Sequence, residues 1–77
     1  MTVCDLKTGQ NARIEAIDPG YEHSHRLIDL GFVPGSSITL TGRAPFGGPL
    51  LIFIRGRILL LRKSEGARIV VIPEALS

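Results

Sequence analysis

Cys4, Glu22, His23 and His25 are the residues of this sequence whose types suit a metal ion, because imidazole, thiolate and carboxylate are the usual protein ligands for Fe and Zn. Their spacing limits what they can do. On a helix, positions i and i+2 lie ~200° apart, so His23 and His25 cannot share one ion there. Glu22 and His25, at i and i+3, share a helix face, and Cys4 adds a thiolate from elsewhere in the chain. Such a set makes an open, weak site for Fe(II) or Zn(II) rather than a closed four-ligand one. The plainer reading is a pair of solvent-facing histidines. Cys4 with His23 or His25 and Asp29 also has the residue types of a nucleophile, a base and an orienting group, but nothing in the spacing brings them together. The glycines of Gly42-Arg43-Ala44-Pro45-Phe46-Gly47 are spaced as in a phosphate-binding loop. The Lys and Ser or Thr such a loop needs next are replaced by Gly48 and Pro49, so neither phosphate charge nor a Mg²⁺ ligand is provided. No catalysis and no required cofactor is expected.

The elements that must hold these residues are few. Seventy-seven residues make one domain, 1–77, with a marginal core, too small for a separate cofactor domain. At 44% hydrophobic and net charge +2 the chain is not disordered by composition. Its one cysteine cannot form an internal disulfide, which fits a reducing compartment. The start lacks a basic region followed by an apolar stretch, so no secretory signal is expected. The longest unbroken apolar run, Leu50 to Ile54, falls far short of the ~20 residues of a membrane helix. A cytoplasmic protein with no direct membrane insertion is expected. Charge is uneven. Residues 1–38 hold three cations against five carboxylates, net −2, and residues 39–77 hold six against two, net +4. A nucleic-acid surface through Arg55, Arg57, Arg62 and Lys63 would want aromatic residues interleaved as stacking platforms. Tyr21, Phe32, Phe46 and Phe53 stand singly, so no nucleic-acid partner is expected.

Val3 or Leu6 should dock an opening segment that turns at Thr8-Gly9. Residues 10–18 alternate, with Ala12, Ile14 and Ala16 on one side, and read as a half-buried strand. Asp18-Pro19-Gly20 forces a turn. A short helix follows over 21–30, supported by Glu22–Arg26 and Arg26–Asp29 pairs and stopped by Gly31. Leu27 and Leu30 should pack it onto the sheet. Pro34-Gly35 fits the centre of a type II turn. Strands follow over 37–43, 50–54, 57–62 and 68–72, with a helical turn at 64–67. Five short strands with one short helix after the first are best closed into a small barrel, which hides the edges.

The hairpin at the centre is the most informative feature. A two-residue turn at Arg55-Gly56 sets Leu50, Ile52, Ile54, Leu59 and Leu61 on one face and Leu51, Phe53, Ile58 and Leu60 on the other. Both are apolar. A small barrel has one inside, so one face should point outward, where ~400 Å² of covered apolar surface is worth roughly 10 kcal/mol before association costs. Leu51, Phe53, Ile58 and Leu60, rimmed by Arg55 and Arg57, are the candidate interface, for a second copy or another protein. The competing expectation is that the N-terminal segment or the helix folds over this face. A second candidate surface is a peptide groove formed by Phe32 and Val33 with Pro45 and Phe46 of the following loop.

Three runs carry a family resemblance: Arg26-Leu27-Ile28-Asp29-Leu30-Gly31-Phe32-Val33-Pro34-Gly35, Arg43-Ala44-Pro45-Phe46-Gly47-Gly48-Pro49-Leu50, and Leu59-Leu60-Leu61-Arg62-Lys63-Ser64-Glu65. In order and spacing they resemble the FeoA family of ferrous-iron transport proteins, over about residues 3 to 72. The resemblance implies a mostly β, SH3-like five-stranded barrel with a helix after the first strand. It also implies a cytoplasmic role beside FeoB, the membrane GTPase that carries Fe(II) across the inner membrane, with the protein peripheral to that membrane through its partner and modulating the GTPase. In the family the positions of Leu51, Phe53, Ile58 and Leu60 are commonly polar, and this sequence departs from that habit. The alternative reading is a metal-binding or metal-sensing module using Cys4, His23 and His25.

Overall fold

The computed structural model describes residues 1–74, so the last three residues of the expected domain lie outside the described residues. A 3-10 turn, Val3–Asp5, precedes β1, Asn11–Ile17. Helix α1, Ser24–Asp29, leads to β2, Ser37–Arg43, then β3, Leu50–Ile54, and β4, Arg57–Leu61. A second short helix, α2, Lys63–Gly66, connects to β5, Ile69–Pro73. All pairings are antiparallel, in the order β4-β3-β2-β1-β5. The hydrogen-bonded sheet therefore ends at β4 and β5, and the seam between them carries no ladder. Closure of the barrel comes from packing: Val3, Leu6, Leu27 and Phe32 join the inward residues of all five strands in one core.

Two bulges shift the alternation read from sequence. In β1 the pairing with β5 slips between Ile14 and Ala16, so Ala12 and Ile14 are buried while Ala16 is exposed and Ile17 takes its place against the core. One extra residue in a strand reverses which side its successors face. In β2 the slip lies between Leu40 and Gly42, so Thr41 has no Cα partner on β3. Such bulges tighten the bend that lets a short sheet wrap around its core. Both Val3 and Leu6 dock, at 0% and 1% exposure.

Helix α1 is shorter than expected because Tyr21, Glu22 and His23 form the turn that leads into it. Asp18 builds that corner: its carboxylate accepts the Gly20 N–H at 2.9 Å and a bond from Arg68 at 2.7 Å. At the other end Gly31, at φ +107°, stops the helix and turns Phe32 back beneath it, with the Phe32 N–H donating to the Leu27 carbonyl at 3.0 Å. Among the described residues no helix is long and apolar enough to cross a membrane.

Candidate functional site on the outer face of the β3–β4 hairpin

Arg55 and Gly56 both adopt positive φ, +50° and +82°, as the two-residue turn that matches strand twist requires. The resulting register sets Leu50 opposite Leu61, Leu51 opposite Leu60, Ile52 opposite Leu59, Phe53 opposite Ile58 and Ile54 opposite Arg57, as the sequence predicts. Leu50, Ile52, Ile54 and Leu61 are buried to 1% exposure or less. On the other side Phe53, Ile58 and Leu60 stand at 43%, 56% and 64% exposure, with Leu51 half-buried between them. The N-terminal segment and α1 do not fold over this face; they contribute Val3, Leu6 and Leu27 to the interior instead. Four large apolar side chains thus share one open surface.

Cations ring it. Arg55 and Arg57 at the tip are exposed, as are Arg62 and Lys63 at the far end, and no carboxylate occurs between residues 50 and 63. The tip is braced against α1: the Arg55 side chain lies over Gly31, and an Arg57 guanidinium N–H donates to the Leu30 carbonyl at 3.4 Å. At the far end a cleft of about 250 Å³ is lined by Arg26, Pro49, Leu60, Arg62 and Glu65.

Glu65 is the residue sequence reasoning missed. It is the one buried charged side chain among the described residues, at 4% exposure. Its carboxylate accepts the Arg62 N–H at 3.1 Å and forms an ion pair with Arg26 across 39 residues of sequence. Arg26 therefore does not serve the local helix pairs expected of it; it ties α1 to α2. The only signal in the sequence was an isolated carboxylate in a basic segment.

The expected peptide groove is not assembled. Phe32 is wholly buried because the Gly31 turn sends it into the core; Val33 is half-buried, while Pro45 and Phe46 sit on an exposed loop with Phe46 at φ +60°. The metal candidates are dispersed too. Cys4 is half-buried, with its thiol directed to the Lys63 carbonyl at 3.2 Å. His23 stacks edge-on against Tyr21, 5.6 Å between centroids, and its Nε2 lies 3.5 Å from Glu22. Since Glu22 precedes the helix, the shared face expected for Glu22 and His25 does not form. Among the described residues no three His, Cys, Asp or Glu side chains gather as a metal site.

The family model of the FeoA domain matches residues 1–73. Iron(II) transport protein A from Clostridium thermocellum has 37% identity and a TM-score of 0.85 over 92% of this chain and 44% of its own, so the chain spans less than half of that relative. FeoA from Chlorobium tepidum has 31% identity and a TM-score of 0.87, over 97% of this chain and 71% of its own. FeoA from Stenotrophomonas maltophilia, solved with zinc, has 32% identity and a TM-score of 0.81, over 94% and 89%. That protein is described as a procaryotic SH3 domain protein and suggested to be a ferrous iron transport activating factor. The five-stranded order seen here is of that SH3-like kind.

Proposed function

The chain belongs to the FeoA family of ferrous-iron transport accessory proteins, and from that premise we propose that it acts in the cytosol on an FeoB-type membrane GTPase, as a binding protein and not as an enzyme. The observation that carries this is the two-sided hairpin. One side of β3 and β4 fills the core, and the other leaves Phe53, Ile58 and Leu60 in solvent beside Leu51, where monomers rarely keep clustered apolar side chains. Covering that face with the GTPase's cytosolic part favours whichever conformation of the GTPase presents the matching surface, which is how a non-catalytic protein shifts another's activity. The arginines at the rim steer association toward acidic groups and set its salt dependence.

The test is a pull-down of a transporter G domain with Leu51→Lys/Phe53→Lys, alongside molecular mass in solution. Capture lost by a folded variant supports the assignment; capture retained overturns it. Loss through self-association, seen as a dimer that the variant dissolves, assigns the face to a second copy instead. A second reading, transition-metal binding, draws on the zinc in the Stenotrophomonas relative. Here it would rest on the exposed Glu22–His23 pair, and calorimetric titration of Zn(II) and Fe(II) against His23→Ala/His25→Ala decides it. Heat lost in the variant supports a site; heat unchanged removes the histidines from it.

A further inference from the structure

The two ends of the sheet are finished differently. Along the outer edge of β5, Thr2 bridges Val70, the Val71 N–H donates to the Met1 carbonyl at 2.9 Å, and Pro73 withholds an N–H altogether. The outer edge of β4 has no such cover. In a two-residue hairpin Ile54 and Arg57 are the hydrogen-bonded pair, so the pattern alternates and Ile58 and Leu60 turn both their N–H and C=O groups away from β3. Among the described residues nothing outside the hairpin hydrogen-bonds to those groups. No proline or bulge blunts the strand, although these are usual protections of an edge, and its one charge on the core-facing side, Arg57 opposite Ile54, stands at its first residue. At either end stand cations: Arg57 at its first residue, Arg62 and Lys63 just past its last.

We infer that this edge takes up an extended segment of the partner as a sixth strand, the segment alternating apolar and polar residues between acidic flanks. The inference rests on the docking face proposed above and names how that face is read. The backbone of Ile58 and Leu60 supplies the ladder, and their exposed side chains continue the apolar face onto the added strand. Arg57 and Arg62, about 17 Å apart at strand spacing, stand at the two ends on opposite faces of the strand, where paired acidic residues at each flank present one carboxylate to either face. A second copy suits the edge less well. Antiparallel pairing of β4 with itself, centred on Leu59, sets Arg57 of each copy opposite Leu61 of the other and gathers Arg55, Arg57, Arg62 and Lys63 of the two copies at each end, with no carboxylate between residues 50 and 63 to offset them.

The test uses the full chain, isotopically labelled, with the fluorescein-tagged peptide Asp-Glu-Val-Thr-Val-Thr-Val-Asp-Glu and a version flanked by lysines. Expected are amide exchange at Ile58 and Leu60 slowed at least tenfold by the acidic peptide, and at least tenfold weaker binding of the lysine version by fluorescence anisotropy. Leu60→Pro, which deletes an N–H facing away from β3, should weaken the acidic peptide at least tenfold. Arg57→Glu/Arg62→Glu leaves the backbone intact and should invert the preference between the peptides. Unchanged exchange at Ile58 and Leu60, or equal binding of both peptides, overturns the added strand. So does a dimer in solution that itself protects those two amides. If Leu51→Lys/Phe53→Lys abolishes G-domain capture while the amides stay unprotected, the docking face stands and the sixth strand falls. If capture survives those substitutions, the docking face falls as well.

Discussion

Arg26 and Glu65 offer the sharpest energetic test, because the structure assigns them a task that local sequence does not. The Glu65 side chain is 5% exposed and the Arg26 side chain 60% exposed. A fully buried pair broken on one side costs about 3–5 kcal/mol, since a charge is left in apolar surroundings. Here one partner reaches water, so screening reduces the loss. Arg26→Met strands the buried carboxylate with the Arg62 N–H as its remaining partner, and should cost about 2–3 kcal/mol. Glu65→Gln keeps a carbonyl oxygen for that N–H and returns Arg26 to solvent, so about 1–2 kcal/mol is expected.

The double variant carries neither the stranded charge nor the pair. It should therefore be less damaged than the two singles together, with a coupling of about 1 kcal/mol or more. Urea unfolding monitored by circular dichroism at low and high salt measures all four corners. In a domain of this size each kcal/mol also moves the melting temperature by about 4–8 °C. A coupling below about 0.3 kcal/mol would refute the idea that this pair ties α1 to α2. A coupling abolished by salt would show an exposed pair rather than one anchored in the interior.

Other consequences follow from single positions. The Gly20 N–H, and then Arg68, hold the Asp18 carboxyl below its ordinary range. A group lowered in the folded state stabilises above its unfolded pKa and loses that contribution as pH falls through the folded one. Asp18→Asn should thus be less stable than wild type at pH 7, with the gap closing below about pH 4 in urea melts. Gly31→Ala forces a side chain into φ +107° with its Cβ 3.4 Å from Arg55, and should cost more than about 1 kcal/mol by thermal melting. Ile52 and Phe53 are neighbours on β3 with opposite fates. Ile52→Ala should cost about 2–5 kcal/mol, whereas Phe53→Ala should cost about 1 kcal/mol and chiefly weaken partner capture. Equal destabilisation by the two would mean that the outer face is core.

How much could be read in advance depended on the reach of each interaction. The hairpin register was legible because a two-residue turn with a glycine leaves one pairing, and Leu50 to Leu61 had to follow it. The openness of the Leu51, Phe53, Ile58 and Leu60 face followed too, since both sides were apolar and one interior could take only one of them. Local reasoning failed where a single residue changed phase. At Glu15 and Thr41 the bulges answer to curvature around the core, which no alternation within β1 or β2 encodes. It failed again where a partner came from far along the chain: Arg26 bonds Glu65 rather than Glu22, and Phe32 closes the core rather than opening a groove. The unclosed seam is the most consequential of these differences. A hydrogen-bonded barrel would have satisfied Ile58 and Leu60, whereas a sheet ending at β4 leaves both turned outward between cations. Long-range packing therefore fixed the core, and the same packing left one apolar edge without a neighbour, which puts the apolar face and the open strand on a single side of the molecule.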